Sequence, residues 1–253
     1  MTLVPNEALI AEPVSVTGAG GDVIDAYCAK PLGPGPYPGV VVIHHAPAWD
    51  DWSREVTRTF AAHGYVAISH HLFHREGVGA ASWEDAASAA RAGGGVSDDQ
   101  FLGDTRGAIE YLRGLPECSG KVGVIGYCSG GRQSYIAACR LPIDAAVDAY
   151  GGSVVATPDQ LTEKRPVAPI DMTADLACPI LCLFGDEDAN PDPAQREAIE
   201  AALTAAGKTF EIEHYPDAGH SFFATDRPAY RVAAATAGWE RVFGFFGRYL
   251  KEG

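Results

Sequence analysis

The stretch Gly126-Tyr127-Cys128-Ser129-Gly130-Gly131 directly follows the apolar run "KVGVIG". A strand ending in a glycine-rich turn can cradle a phosphate or hold up a nucleophile. A dinucleotide fingerprint needs G-x-G-x-x-G after the strand, and glycines at 123, 126, 130 and 131 do not give that spacing. A P-loop needs G-K-[ST], which "GGRQS" lacks. The third possibility, a nucleophile elbow of the form G-x-S-x-G with cysteine for serine, fits at every position from Gly126 to Gly130. Glycines flank the nucleophile there because the turn is sharp and side chains would collide. The turn lifts the nucleophile to a helix N-terminus, whose dipole favours thiolate. The plain alternative is a small buried cysteine in a tight turn, since cysteine fills cores readily.

Partners for Cys128 decide between these readings. A hydrolase built on such an elbow needs its acid and then its histidine later in the chain. After the strand-like "CPILCLFG" comes Gly185-Asp186-Glu187-Asp188, and after "FEIEHYP" comes "DAGHSFF" with His220. Asp188 stands at G-x-x-D spacing, which puts its carboxylate past the strand end. Asp186 and Glu187 lie nearer the strand and read as solvated. His220 sits in a glycine-containing turn before the last helix, whereas His214 lies within the strand.

The elements that must position these residues alternate. Two short strands, "PVSVT" and "DVIDAYCAK", open the chain. "GVVVIHH" (39–45) and "YVAISHH" (65–71) read as buried parallel strands, since both are apolar and rich in β-branched residues. Helices are expected over "DWSREVTRTFAAHG", "SDDQFLGDTRGAIEYLRGLP", "SGGRQSYIAACR", "DPAQREAIEAALTAAG" and "RPAYRVAAATAGWERVFGFFGRYL", the second opened by a serine cap. Segment 151–177 is a Pro-punctuated excursion. The alternation predicts an α/β fold with a mostly parallel sheet of about eight strands and helices on both faces. Ligands in such sheets collect outside the carboxyl ends of the strands.

The chain has 253 residues, 47% of them hydrophobic, and a net charge of −14. This argues against nucleic-acid or anionic-membrane partners, which need a basic face. No linker or repeat divides it, so one domain over 1–253 is expected. No apolar run approaches the roughly 20 residues that span a bilayer, and "MTLVPNEALIAEPV" does not read as a signal peptide. A cytoplasmic location follows as an expectation, with the six cysteines reduced.

The early hairpin, "PGVVVIHH", "HGYVAISHHLFHREG", "GYCSGG", "GDED", "GHSFF" and "GWERVFGFF" together resemble the dienelactone hydrolase family of the α/β-hydrolase superfamily. The resemblance covers nearly the whole chain. It implies a triad of Cys128, His220 and Asp188 that cleaves a small-molecule ester or lactone through a thioester, without cofactor or metal. Oxyanion-hole N–H groups are expected from Ser129 and from Ala46, since Pro47 has none to give. Family members that cleave the dienelactone carry a glutamate where this chain has Ala46, and two arginines for the substrate carboxylate. Arg75 matches the first arginine, but Ala224 stands at the second. Arg75, Trp49, Tyr127 and Phe222 are the candidate substrate-binding residues, with Trp52 and Phe223 as further aromatic wall. Thioesters and phosphotriesters remain alternative substrates of the same triad. The histidines His44, His45, His70, His71 and His74 offer a rival metal-dependent hydrolase. Cys128 as a non-catalytic redox sensor is a third class. A monomer or small homo-oligomer is expected.

Overall fold

The computed structural model describes residues 8–251. Eight strands form one sheet in the order β1-β2-β4-β3-β5-β6-β7-β8. They are β1 (Leu9–Thr17), β2 (Val23–Pro31), β3 (Tyr37–Ile43), β4 (Val66–His70), β5 (Cys118–Tyr127), β6 (Ala145–Ala149), β7 (Ile180–Gly185) and β8 (Phe210–Tyr215). Strand β1 pairs antiparallel with β2, and β2 with β4. The pairs β3·β4, β6·β7 and β7·β8 are parallel. The expected α/β architecture with a mostly parallel sheet is thus present. By contacts the chain divides into two compact units, 1–123 and 124–253.

In the first unit, every residue of β3 from Val40 to Ile43 and of β4 from Val66 to Ile68 is essentially inaccessible. Each valine or isoleucine among them contributes on the order of 1.5–3 kcal/mol by leaving water. Three helices follow the capping rules. Asp50, Ser82 and Ser97 accept hydrogen bonds from the N–H groups of Ser53, Asp85 and Gln100, opening α1 (Asp51–Ala62), α2 (Trp83–Ala92) and α3 (Asp98–Gly114). The paired histidines stand at strand ends: His44 and His45 just beyond β3, His70 closing β4 and His71 one residue past it.

The second unit carries α4 (Ser129–Arg140), α5 (Pro193–Ala205) and α6 (Val232–Phe246). Asp192 and Gln195 form a capping box at the start of α5. The excursion at 151–177 holds two short 3₁₀ turns, Pro158–Gln160 and Pro169–Asp175. The second is anchored by Tyr135 Oη at 2.6 Å from Thr173 Oγ1. Helix α6 begins later than its sequence pattern predicts. Residues 227–231 form turns instead, closed by the Arg231 N–H donating to the Phe222 carbonyl at 3.1 Å.

Candidate active site

Cys128 joins β5 to α4 with φ 59° and ψ −118°. A non-glycine residue in this region costs on the order of 1–3 kcal/mol and persists only where its surroundings hold it. Here the Cys128 N–H donates to the Ala149 carbonyl at 3.1 Å. Its own carbonyl accepts from the N–H groups of Gly131 at 3.0 Å and Arg132 at 3.3 Å. A β-carbon on Gly126 would collide with the backbone carbonyl of Gly130. The close approach of the helix backbone therefore requires glycine at 126. Cys128 is in no disulfide, and it is half-buried at the N-terminus of α4, where the Ser129 N–H opens the helix.

The turns after β7 and β8 are laced together. The N–H groups of Asp186 and Glu187 donate to the carbonyls of Tyr215 and Ala218 at 3.0 and 2.9 Å. The buried Arg196 guanidinium donates to the Gly185 carbonyl. A β-carbon on Gly185 would overlap the Ala218 carbonyl, so the close approach of the turns requires glycine. This lacing sets Asp188 against His220. His220 Nδ1 donates to Asp188 Oδ2 at 2.8 Å, while Asp188 Oδ1 accepts from the Asn190 N–H at 2.8 Å. The Asp188 side chain is 2% exposed. Asp186 instead lies 3.3 Å from His214 Nδ1, and both of those side chains are largely exposed.

His220 also shares a hydrogen bond with Cys128. Burial opposes a charged imidazole, but the hydrogen bonds to Asp188 and Cys128 and the charges of both raise His220 to about 10. The structure thus brings Cys128, His220 and Asp188 into one chain of contacts with the imidazole in the middle. That arrangement can supply a nucleophile, a proton carrier and an anion that holds the carrier's orientation.

Sequence reasoning missed Tyr150. It follows β6 at φ 45°, its N–H donates to the Leu183 carbonyl at 2.8 Å, and its ring meets the His220 imidazole edge-on at 5.1 Å. Its hydroxyl hydrogen-bonds the backbone of Phe223. The only signal was its place at the end of "IDAAVDAY". Asp148, two residues earlier, is fully buried, and its Oδ1 accepts the Gly151 N–H at 2.7 Å. Burial lifts this carboxyl to about 7.

Each expected substrate-binding residue has defined surroundings. Tyr127 and Phe222 have no exposed surface and pack on the Tyr150 ring at 6.1 and 5.2 Å. Both side chains pack around the Tyr150 ring that meets His220. Trp49 is buried in the first unit, its indole N–H donating to Ser69 Oγ at 3.1 Å. Arg75 ion-pairs with Asp104 at 2.9 Å and Asp22 at 2.7 Å and donates to the Ala19 carbonyl. Ala46 lends its carbonyl to Arg91 at 2.9 Å.

Each strand-end histidine has separate surroundings. His44 Nδ1 donates to the His45 carbonyl and its Nε2 accepts from the Leu72 N–H. His45 lies 2.6 Å from Asp50, His70 contacts Thr105, and His74 contacts Asp104. Among the described residues no group of three or more His, Cys, Asp or Glu side chains converges to hold a metal.

The strand order and the elbow define an α/β-hydrolase fold. The chain belongs to the dienelactone hydrolase family, whose model matches residues 24–250. A "Putative carboxymethylenebutenolidase" of Methylorubrum extorquens is 33% identical over 95% of this chain and 82% of its own length. One of Escherichia coli strain K12 is 33% identical, with 97% and 89% covered. A crystal structure titled as a putative dienelactone hydrolase from Klebsiella pneumoniae has TM-score 0.86 and 30% identity. It covers 96% of this chain and 100% of that one. The protein is accordingly an ester or lactone hydrolase. No helix among the described residues is long and apolar enough to cross a membrane.

Proposed function

We propose that Cys128 is the nucleophile of this hydrolase, His220 its general acid and base, and Asp188 the residue that orients His220. The observation that carries the reading is the single imidazole bonded at once to Asp188 and Cys128. With His220 raised to about 10, the free enzyme rests as a thiolate–imidazolium pair. The thiolate attacks the acyl carbon, forming the C–S bond and placing the carbonyl electron pair on oxygen. The backbone N–H group of Ser129, at the start of α4, is assigned to that oxyanion. As the tetrahedral species collapses, the C–O bond to the alkoxide breaks and His220 gives it a proton. In a lactone this leaving group stays tethered to the acyl chain.

Neutral His220 then takes a proton from water, whose oxygen attacks the thioester. The C–S bond breaks, the thiolate leaves, and the carboxylic product and the thiolate–imidazolium pair are restored. Asp188 keeps Nδ1 protonated throughout, so the other nitrogen always faces the sulfur and the reacting groups. Small uncharged esters and lactones are the proposed substrates, since the one family-matched arginine, Arg75, is already paired with Asp104 and Asp22. Lactone cleavage also fits a Bradyrhizobium relative described as "Probable 2-oxo-3-(5-oxofuran-2-ylidene)propanoate lactonase", 28% identical over 89% of each chain. The proposal includes action without a cofactor, in the cytoplasm, as a monomer or small homo-oligomer. The test is a panel of p-nitrophenyl esters, lactones and thioesters assayed on wild type and Cys128→Ala, with acyl-enzyme sought by mass spectrometry. An adduct on Cys128 that vanishes in the variant together with turnover is expected. Unchanged turnover in Cys128→Ala would remove the proposal.

A further inference from the structure

Backbone strain in this chain is local. Among the described residues, Cys128, Tyr150, Ser153, Asp217 and Ser221 have positive φ without being glycine. All five lie in the second unit, at the elbow or in the loops after β6 and β8. Such strain costs free energy and gathers where a site over-determines the backbone. Cys128 is the proposed nucleophile, and Ser221 adjoins His220. Tyr150 carries the largest side chain of the five and has no chemical part in the steps above. Glycine would take its φ of 45° at no steric cost. The chain instead places a large ring there and glycines at the next two positions, Gly151 and Gly152.

Residues 149 and 150 tie the site together. The Ala149 carbonyl accepts from the Cys128 N–H at 3.1 Å, and the Tyr150 N–H donates to the Leu183 carbonyl of β7 at 2.8 Å. The Tyr150 hydroxyl is bonded to the backbone of Phe223, in the turn that carries His220. The ring is thus fixed relative to the elbow, to the strand that leads to Asp188 and to the turn that holds the imidazole. It is 1% exposed and braced by the Phe222 and Phe223 rings at 5.2 and 6.2 Å.

His220 lies against this ring, with centroids 5.1 Å apart and planes at 63°. Asp188 holds Nδ1 at 2.8 Å, and Cys128 is bonded as well. Hydrogen bonds tolerate some misalignment, and the torsion that turns a planar ring is broad. Two bonds at the nitrogens therefore leave the imidazole room to tilt. Its side chain is 34% exposed, so solvent supplies no wall there. The buried Tyr150 ring does. Burial, with Tyr127, Cys128 and Asp188 nearby, raises the Tyr150 hydroxyl well above its ordinary value. The residue stays neutral and acts by its shape.

We propose that Tyr150 is a positioning residue: its ring holds the His220 imidazole at the tilt that aims the nitrogen facing Cys128 at the sulfur and then at the leaving group. The inference rests on the catalytic roles proposed above.

Three measurements on the full-length protein test it: turnover of p-nitrophenyl acetate, ¹³C relaxation of the His220 ring, and alkylation of Cys128 by iodoacetamide at pH 6. Circular dichroism reports the fold. Tyr150→Leu removes the ring. Its kcat should fall about tenfold to hundredfold, the scale of a misplacement of roughly 1 Å, while KM stays within about twofold. The His220 ring should gain motion, and alkylation should slow at least about threefold as the pair loosens. Tyr150→Phe keeps the ring and should hold kcat within about threefold of wild type. Tyr150→Met fills the space with a flexible chain and is read the same way if the leucine variant does not fold. Phe245→Leu removes a buried ring that packs on Phe246 and Tyr249 instead, and should leave kcat within about twofold. Wild-type kcat in a folded Tyr150→Leu or Tyr150→Met protein would overturn the inference. So would a Tyr150→Phe enzyme as slow as Tyr150→Leu, or a loss confined to KM. Cys128→Ala, assayed in parallel, separates the two levels. If it keeps turnover, the triad reading falls and the role of Tyr150 falls with it. If it is inactive while Tyr150→Leu is fully active, the positioning role alone is lost.

Discussion

Replacing Asp188 by asparagine tests the proposed triad at its most specific bond. Asp188 Oδ1 accepts the Asn190 N–H at 2.8 Å, and Oδ2 accepts His220 Nδ1–H at 2.8 Å. Asparagine has one acceptor oxygen. The backbone N–H of Asn190 cannot reverse its role, so the amide oxygen must face it and the amide NH₂ must face His220. The imidazole answers by making Nδ1 an acceptor, which moves its proton to Nε2. It then has no lone pair to take a proton and no Asp188 charge to favour the imidazolium. Restoring the active tautomer would set two buried donors against each other. Each unsatisfied donor costs about 1–3 kcal/mol, so the pair costs about 2–6 kcal/mol. That corresponds to a loss of roughly 30-fold to 10⁴-fold in rate. The loss in serine triads, about 10⁴, sits at the upper end. The assay is kcat on p-nitrophenyl acetate, with circular dichroism to show that the fold survives. Asp186→Asn is the control: its carboxylate is exposed and pairs with His214, so kcat should stay within about twofold. An Asp188→Asn enzyme with more than about a tenth of wild-type kcat, by the same arithmetic, would refute the tautomer argument.

Arg75→Met leaves the fully buried Asp104 carboxylate, among the described residues, its hydrogen bonds with His74 and the Ala19 N–H. It should cost about 3–5 kcal/mol in urea unfolding, while KM for neutral and anionic esters changes alike; a KM rise confined to anionic esters would return Arg75 to substrate binding. Burial opposes the Asp104 charge, but His74, Arg75 and the Ala19 N–H hold its folded value at about 2 against 3.8 unfolded. Its stabilisation is therefore present above pH 4 and lost as pH falls from about 4 through about 2. Asp148 has the opposite sign: with burial raising it from 3.8 to about 7, stability falls as pH rises across that window. Thermal unfolding of Asp148→Asn should lack this decline, and parallel wild-type and variant curves between pH 5 and pH 8 would contradict a neutral buried carboxyl.

What the sequence made legible was whatever local chemistry or chain order determines. The elbow could be read because glycine at 126 is a steric necessity of the turn at Cys128, and steric necessity leaves a fixed spacing. Alternating apolar runs and caps such as Ser97 marked the strands and helices for the same reason. Asp188 could be separated from Asp186 by its distance past β7. Tyr150 was not legible, because its contact with His220 depends on how β6 ends beside two later turns. The burial of Tyr127 and Phe222 was not legible either, because an aromatic residue next to a site in sequence can face either the ligand or the core. The histidine pairs looked like potential metal ligands until their separate partners, Asp50, Thr105 and Asp104, were visible. The start of α6 was overrun because "RPAYR" is polar enough to continue a helical pattern, although its backbone bonds close turns instead.

The resting state of the Cys128–His220 pair is the centre of the account, and the pH dependence of Cys128 alkylation by iodoacetamide measures it directly. Burial lifts Cys28, Cys139 and Cys178 to about 12 and raises Cys182 and Cys118 as well, so all five should react slowly. Peptide mapping by mass spectrometry isolates the rate at Cys128. With His220 protonated up to about 10, wild-type Cys128 should be alkylated at pH 6 nearly as fast as at pH 9. In His220→Ala the rate at pH 6 should drop at least about tenfold, with a transition moved toward the free-thiol value of about 8.5. A single wild-type transition near 8.5, unmoved by His220→Ala, would show that Cys128 rests as a thiol. That result would contradict the proposed thiolate–imidazolium pair.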